Sequence, residues 1–315
     1  MLNFAHLRAE ADRSLKQTPN AKRIILIHTG VILLISLLLS IADFLLDRQI
    51  GTTGGLSGLD TRSLLITIQT VLRLTLTIAL PFWQIGYTYF TLRVMHGEAA
   101  TVSHLLEGFR RFGPVLRLNL LLAVICFFAV MVSTYLSSML FMLTPFSAPM
   151  VEIMSTLSNS AMDEATALET LNAAMADVAI PLTIIFGICL LVVGMFLLYR
   201  CRLAYLWLMD HPESGALAAL LGSKRLMHGN CLAFFKIDLH FWWFYLLGIL
   251  VSLVGYGDLV LSALGVDLPM SATAAYFLFL FIYLVAQLGL DCWKQNAVSV
   301  TYAHAYQALN SPETE

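Results

Sequence analysis

Six long apolar runs, parted by polar connections, set the pattern of this chain: Ile24–Leu46, Leu64–Phe90, Val115–Leu143, Ile180–Tyr199, Cys231–Val254 and Ala272–Leu290. Each is near or above the roughly 20 residues that carry a helix, at 1.5 Å per residue, across about 30 Å of hydrocarbon. The pattern predicts an all-α fold: a polytopic membrane protein with six transmembrane helices and amphipathic helices at the interfaces. It reads as a single integral membrane domain over 1–315. That domain comprises a cytoplasmic amphipathic segment at 1–23, the six-span bundle at 24–294 and a cytoplasmic tail at 295–315.

The polar connections have patterns of their own. Phe4, Leu7, Ala11 and Leu15 recur at helical spacing among charges, predicting a short helix on the inner leaflet. Gly51–Ser63 reads as a glycine-rich external turn. Between Pro149 and Val178, apolar residues return every three or four positions among Glu152, Asp163, Glu164, Glu169 and Asp177. That spacing predicts an amphipathic helix or hairpin over the outer face. Asp163–Glu164 lacks the alternating oxygen ligands of a calcium loop and reads as a solvated acidic face.

Two connections resemble each other. His96-Gly97-Glu98, Leu105-Leu106 and Arg110 align at one constant offset with His211-Pro212-Glu213, Leu220-Leu221 and Arg225. Further on, Arg117-Leu118-Asn119-Leu120 aligns with Lys236-Ile237-Asp238-Leu239 at an offset one helical turn longer. Each unit would be a descending span, an interfacial helix and a returning span. Such parallel repeats occur in transporters and also arise by plain duplication. In the first interfacial helix Val102, Leu105, Leu106, Phe109 and Phe112 form the apolar face. In the second, Pro212 suits the first helical position and Gly229 permits the turn into the fifth span.

Composition agrees with a membrane location. Mean hydropathy is +0.80, and only 12% of residues are charged, against about 25% in a soluble domain. Arg8, Arg13, Lys16, Lys22 and Arg23 precede the first span. Arg93, Arg110 and Arg111 follow the second, Arg200, Arg202, Lys224 and Arg225 the fourth, and Lys294 the sixth. The opposite connections carry only Arg48 and Arg62. The Lys/Arg bias therefore places both termini of a multi-pass membrane protein in the cytoplasm. The first span is too long for a signal peptide and has no A-x-A-like site after it, so it reads as an anchor. No nucleic-acid footprint is present, and the expected partners are the lipid bilayer and another membrane protein or a second copy.

Chemistry inside a bilayer rests on the few polar groups there. Gln69, Arg73, Thr77 and Gln84 share one face of the second span. The stripe reads as the lining of a path for a polar or anionic solute, or as an ion pair of Arg73 with Asp43 plus interhelical hydrogen bonds. Lys236, Asp238 and His240 lie near the inner end of the fifth span. There a proton relay competes with snorkelling, pairing of Asp238 with a basic neighbour, and an aromatic belt. Asp291 and Lys294, three apart, read as a local pair.

Cys126, Cys189, Cys201, Cys231 and Cys292 form no C-x-x-C pair and read as small apolar fillers. There is no phosphate loop, no H-E-x-x-H and no G-x-S-x-G. Asp258 in Gly255-Tyr256-Gly257-Asp258 has the look of an intramembrane aspartyl protease motif but lacks the partner Y-D. No cofactor, metal or catalytic residue is expected.

Tyr205, Asp210, Pro212, Ser223, Leu226-Met227, Gly229, Phe235, Leu239 and Phe241-Trp242 resemble the signature of the domain-of-unknown-function 975 family. His240 stands where that family usually has Ser, and Trp242 is shifted against the usual tryptophan. Trp293-Lys294 and Thr301-Tyr302-Ala303 through Tyr306 resemble the C-terminal end of its members. The resemblance implies a bacterial integral membrane protein and supplies no catalytic residues. A looser similarity to the membrane domains of some glycerophosphodiester phosphodiesterases favours an accessory role. Two expectations follow: a non-enzymatic accessory or assembly module, or a carrier for a small or amphipathic solute working through the Arg73 stripe.

Overall fold

The computed structural model describes residues 3–52, 58–148, 164–257, 260–261 and 271–310. These are helical with no strand among the described residues. The main elements are α1 (Phe4–Gln17), α2 (Ala21–Thr52), α3 (Gly58–Met95), α4 (Glu107–Arg110), α5 (Phe112–Met142) and α6 (Glu164–Leu197). They continue with α7 (Ala204–Asp210), α8 (Ala216–Met227), α9 (Cys231–His240), α10 (Trp242–Val254), α11 (Ala272–Leu290) and α12 (Asn296–Asn310). Five stretches are long and apolar enough to cross a membrane: Ala21–Leu45, Ser63–Met95, Phe112–Met142, Val178–Asp210 and Thr273–Asn310. Among the described residues the number becomes six if the pair α9 and α10, bent by 58°, is counted as one span.

That bend departs from the straight fifth span the apolar run suggested. It falls at Phe241, whose backbone leaves helical geometry at φ −101°, ψ 8°. Phe241 is buried there, edge-on to Phe4 and near the Tyr302 ring. Three other expectations change. The first interfacial helix is a 3₁₀ turn over Val102–Leu106 followed by the four-residue α4. α2 extends to Thr52 and α3 begins at Gly58, so both ends of the expected turn over Gly51–Ser63 are helical. Glu164 opens α6, which runs unbroken into the fourth span rather than forming a separate surface helix. Asp163, Glu152 and Asp258 lie outside the described residues.

By its contacts the chain divides into two compact units. One comprises Met1–Leu116, Tyr205–Gly215 and Gly229–Glu315, the other Arg117–Ala204 and Ala216–His228. The packed core of the first unit lies at its Lys/Arg-rich end, where Ala11, Ile24, Tyr87, Phe90, Leu105 and Val300 are buried together. Farther along, the span surfaces carry exposed Leu72, Leu74 and Ile78. Lipid tails are as apolar as these side chains, so nothing drives them inward.

The N-terminal helix turns its apolar face onto protein. Asn3 caps α1, Leu7 and Ala11 are buried, and the helix packs on α12. Ser14 Oγ lies 3.1 Å from His304 Nε2, and Phe4 stacks on His240 at 4.0 Å. Asn296–Asn310, expected as a tail, is the helix it docks on.

Two helix boundaries fall at the offsets that relate the two resembling connections. Under the shorter offset the end of α3 at Met95 matches the end of α7 at Asp210. Under the longer offset the start of α5 at Phe112 matches the start of α9 at Cys231. Val115 and Leu118 are buried, as are their counterparts Phe234 and Ile237.

Within the first unit, α3 and the following turn approach so closely that a Cβ on Gly86 would overlap the Leu105 carbonyl. One on Gly108 would overlap the Phe82 carbonyl. Gly97, at φ 70°, closes α3: the Glu98 amide donates to the Arg93 carbonyl at 3.0 Å, the pattern of a helix end that needs a left-handed residue. In the second unit Ser223, which matches Gly108, donates its hydroxyl to the Arg200 carbonyl at 2.8 Å. The same oxygen accepts from the Leu203 amide at 3.1 Å.

Candidate functional site

The polar stripe of α3 is split between two environments. Gln69 Nε2 donates to Asp43 Oδ1 at 2.5 Å, and Arg73 forms an ion pair with the other oxygen of Asp43. Thr77, one turn on, donates to the Arg73 carbonyl at 2.8 Å. Thr77 and Gln84 then line a cleft of about 460 Å³ together with Pro81, Thr88 and Tyr205. The stripe therefore lines a cleft only at its Gln84 end, and the guanidinium is held by a carboxylate.

Gln84 and Ile32 also belong to a larger cleft of about 690 Å³ in the first unit. α2 contributes His28 and Thr29, α10 Tyr245, Gly248 and Ser252, the turn after it Tyr256, and α11 Tyr283 and Gln287. The bend at Phe241 is the start of α10, whose Gly248 and Ser252 are one turn apart on the lining face. A broken span commonly builds polar sites in membrane proteins, because irregular backbone is tolerated where it borders a cavity.

Asp291 completes the lining. It opens a five-residue π-turn, Asp291–Gln295, between α11 and α12. Such turns are rare and frequent at functional sites. Gln287 Nε2 donates to Asp291 Oδ1 at 2.9 Å, and the Thr29 hydroxyl donates to Oδ2 at 3.3 Å. Both donors are neutral, and Asp291 forms no ion pair with a described residue. The expected pairing with Lys294 is absent; its ammonium sits 5.5 Å from the Trp293 ring centre instead. A residue three positions along a π-turn no longer shares a face as it would in an α-helix.

His28 is 3% exposed and lines the same cleft. It stacks on Tyr87 at 4.3 Å, and its Nδ1 is buried with no hydrogen-bond partner among the described residues. Beneath it Tyr87 donates to Asn296 Oδ1 at 2.8 Å, and Asn296 Nδ2 donates to the Ala21 carbonyl at 3.0 Å. Reading the sequence missed His28, Thr29, Tyr283 and Gln287. A four-residue spacing of Gln287 and Asp291 was the available signal.

The three polar residues at the inner end of the fifth span do not converge. Lys236 and His240 are exposed, with His240 Nδ1 2.7 Å from the Lys236 carbonyl. Asp238 is partly buried and accepts the Tyr302 hydroxyl, which is itself 3.1 Å from that of Tyr245.

A smaller cleft of about 210 Å³ at the Lys/Arg-rich end joins Tyr89, Arg93 and Glu98 to Arg111, Asp210 and Pro212. Its charges are internally matched. Arg93 pairs with Glu98 and with the Tyr89 hydroxyl, and Arg111 pairs with Glu107 at 3.4 Å. Tyr306 donates to Asp210 Oδ2 at 2.7 Å. Beside it, burial followed by the Arg93 charge lowers the His104 pKa, against the opposing pull of Glu107.

Signature positions thus have structural roles: Asp210 receives Tyr306, Ser223 bridges Arg200 and Leu203, and Gly229 adopts φ 81° after α8. Among the described residues no group of three His, Cys, Asp or Glu is placed to hold a metal. No curated protein and no solved structure matches the chain. A family profile described as protein of unknown function (DUF975) matches residues 14–302, covering both halves and not only the C-terminal part, and the chain belongs to that family.

Proposed function

We propose that this protein is a non-enzymatic, multi-pass module of a bacterial cytoplasmic membrane that binds a small amphipathic solute in the cleft lined by His28 and Asp291. The supporting observation is the lining itself: an intramembrane carboxylate held only by neutral donors, facing about 690 Å³ of space with polar and apolar walls. An isolated charge at such a position is costly, and occupation by a complementary group offsets that cost. The volume lies in the range of small-molecule sites. The missing catalytic motifs support binding or carriage over chemistry. The Lys/Arg bias supports cytoplasmic termini.

The test uses purified protein in zwitterionic lipid nanodiscs, titrated calorimetrically with hexylammonium, hexanol and hexanoate against empty discs. Saturable binding of at least one probe, lost in Gly248→Leu, is expected. A Cβ at Gly248 meets no atom within 4 Å, so the larger side chain enters the cleft without disturbing the backbone. Binding of no probe, or binding that Gly248→Leu leaves intact, overturns the reading.

A second reading, an assembly module, is favoured by Arg73. Its side chain stays 56% exposed beside Asp43, roughly 15 Å into the span. A charge pair facing lipid is disfavoured, and a neighbouring protein or second copy would cover it. Cross-linking from cysteines placed at Leu72 and Thr75 in native membranes tests this. A single discrete adduct supports the reading, and monomer alone sinks it.

A further inference from the structure

Resting on that cleft as a binding site, we infer that its ligand is a monovalent organic cation: an ammonium group carrying an apolar chain. The residues at the cleft are unequal in charge. Among the described residues Asp291 is its one carboxylate, and no Lys or Arg lines it. The carboxylate oxygens are oriented by Gln287 and Thr29, whose neutral donors leave the negative charge uncompensated. His28 adds a second, independent feature. Its Nδ1 is buried and has no hydrogen-bond partner among the described residues, a polar atom left unsatisfied in a residue of the lining.

Tyr245, Tyr256 and Tyr283 also line the cleft, and aromatic rings favour a cation over an anion. Ile32, Leu33, Ile249 and Leu253 supply the apolar wall along which a chain would lie. A hard metal ion fits less well, since calcium and magnesium take six or more oxygen ligands and the cleft offers one carboxylate. An anionic solute meets that carboxylate with no compensating base. The charge on this part of the protein therefore selects the opposite kind of solute from the one the Arg73 stripe suggested.

In the nanodisc titration, hexylammonium should bind at least about tenfold more tightly than hexanol or hexanoate, a difference of about 1.4 kcal/mol. Asp291→Asn should remove that preference while leaving residual binding equal to that of hexanol. If hexanol or hexanoate binds as tightly as hexylammonium, or if Asp291→Asn retains the preference, the cation assignment falls and the cleft remains a binding site. If none of the three binds, both readings fall together. Should Asp291→Asn fail to fold, Thr29→Val provides the second variant. It removes one of the two donors that orient the carboxylate and should reduce the preference; an undiminished preference overturns the assignment.

Discussion

In the first half of the chain Gly108 of α4 lies against the Phe82 carbonyl of α3, and Gly86 lies against Leu105. At the matching place in the second half, Ser223 of α8 fills the gap and bonds both Arg200 and Leu203. One junction is closed by contact between backbones, the other by a hydroxyl spliced between backbone groups. The lengths differ accordingly: a four-residue α4 in the first connection and a twelve-residue α8 in the second. The returning spans diverge as well, since α5 is continuous while α9 and α10 part at Phe241. Two connections that resemble each other in sequence can thus close differently, with only the second leading into a bend that borders a cleft.

The largest effect should come from the glycine contact. Gly86→Val or Gly108→Val places a branched side chain on backbone that cannot yield, and should cost several kcal/mol. Size-exclusion chromatography in mild detergent should then show little folded protein. Either variant melting like the wild type would remove the contact from the comparison.

Asp238 and its counterpart Asn119 sharpen it next. Asp238→Asn keeps an acceptor for Tyr302 and should shift the melting temperature little. Asp238→Leu removes the carboxylate that accepts from the Tyr302 hydroxyl and should cost about 1.5–3 kcal/mol, the worth of a hydrogen bond to a charged group. If both variants fall equally, the position requires charge and the two hairpins differ there in kind.

Ser223→Ala should cost about 1–2 kcal/mol, because the buried Leu203 amide loses its acceptor. Ser223→Gly should do no better, since removing the side chain does not bring the helices together. A Ser223→Gly protein as stable as wild type would make the two junctions interchangeable.

The smallest effect concerns pH. The folded His104 has its pKa below the unfolded value, so the unfolded chain takes up protons first as pH falls through the ordinary histidine range. Stability should decline there on acidification, and less so in His104→Gln. Melting curves at a series of pH values check this, and an identical decline in both proteins assigns it elsewhere.

The spans were legible because roughly 20-residue apolar runs have few alternatives. The likeness of the two connections was legible because their polar residues kept constant offsets, and the helix boundaries at Met95, Asp210, Phe112 and Cys231 fall at those offsets. The Arg73–Asp43 pair was open to inference from a stripe of four residues on one face. The cleft was not, since His28 and Asp291 come from opposite ends of the chain, and the π-turn that carries Asp291 has no sequence signature in its neighbours. Local spacing instead suggested Lys294 as its partner.

The sequence by itself determined that this chain is a set of long apolar helices, because hydropathy and periodicity act along the chain over one or two turns. Tertiary structure alone decided where α1 docks, where the fifth span breaks and which polar groups share a cleft. Those outcomes depend on whether backbones can approach, as at Gly86 and Gly108, and on which distant donor reaches a carboxylate first. Both are properties of helix pairs.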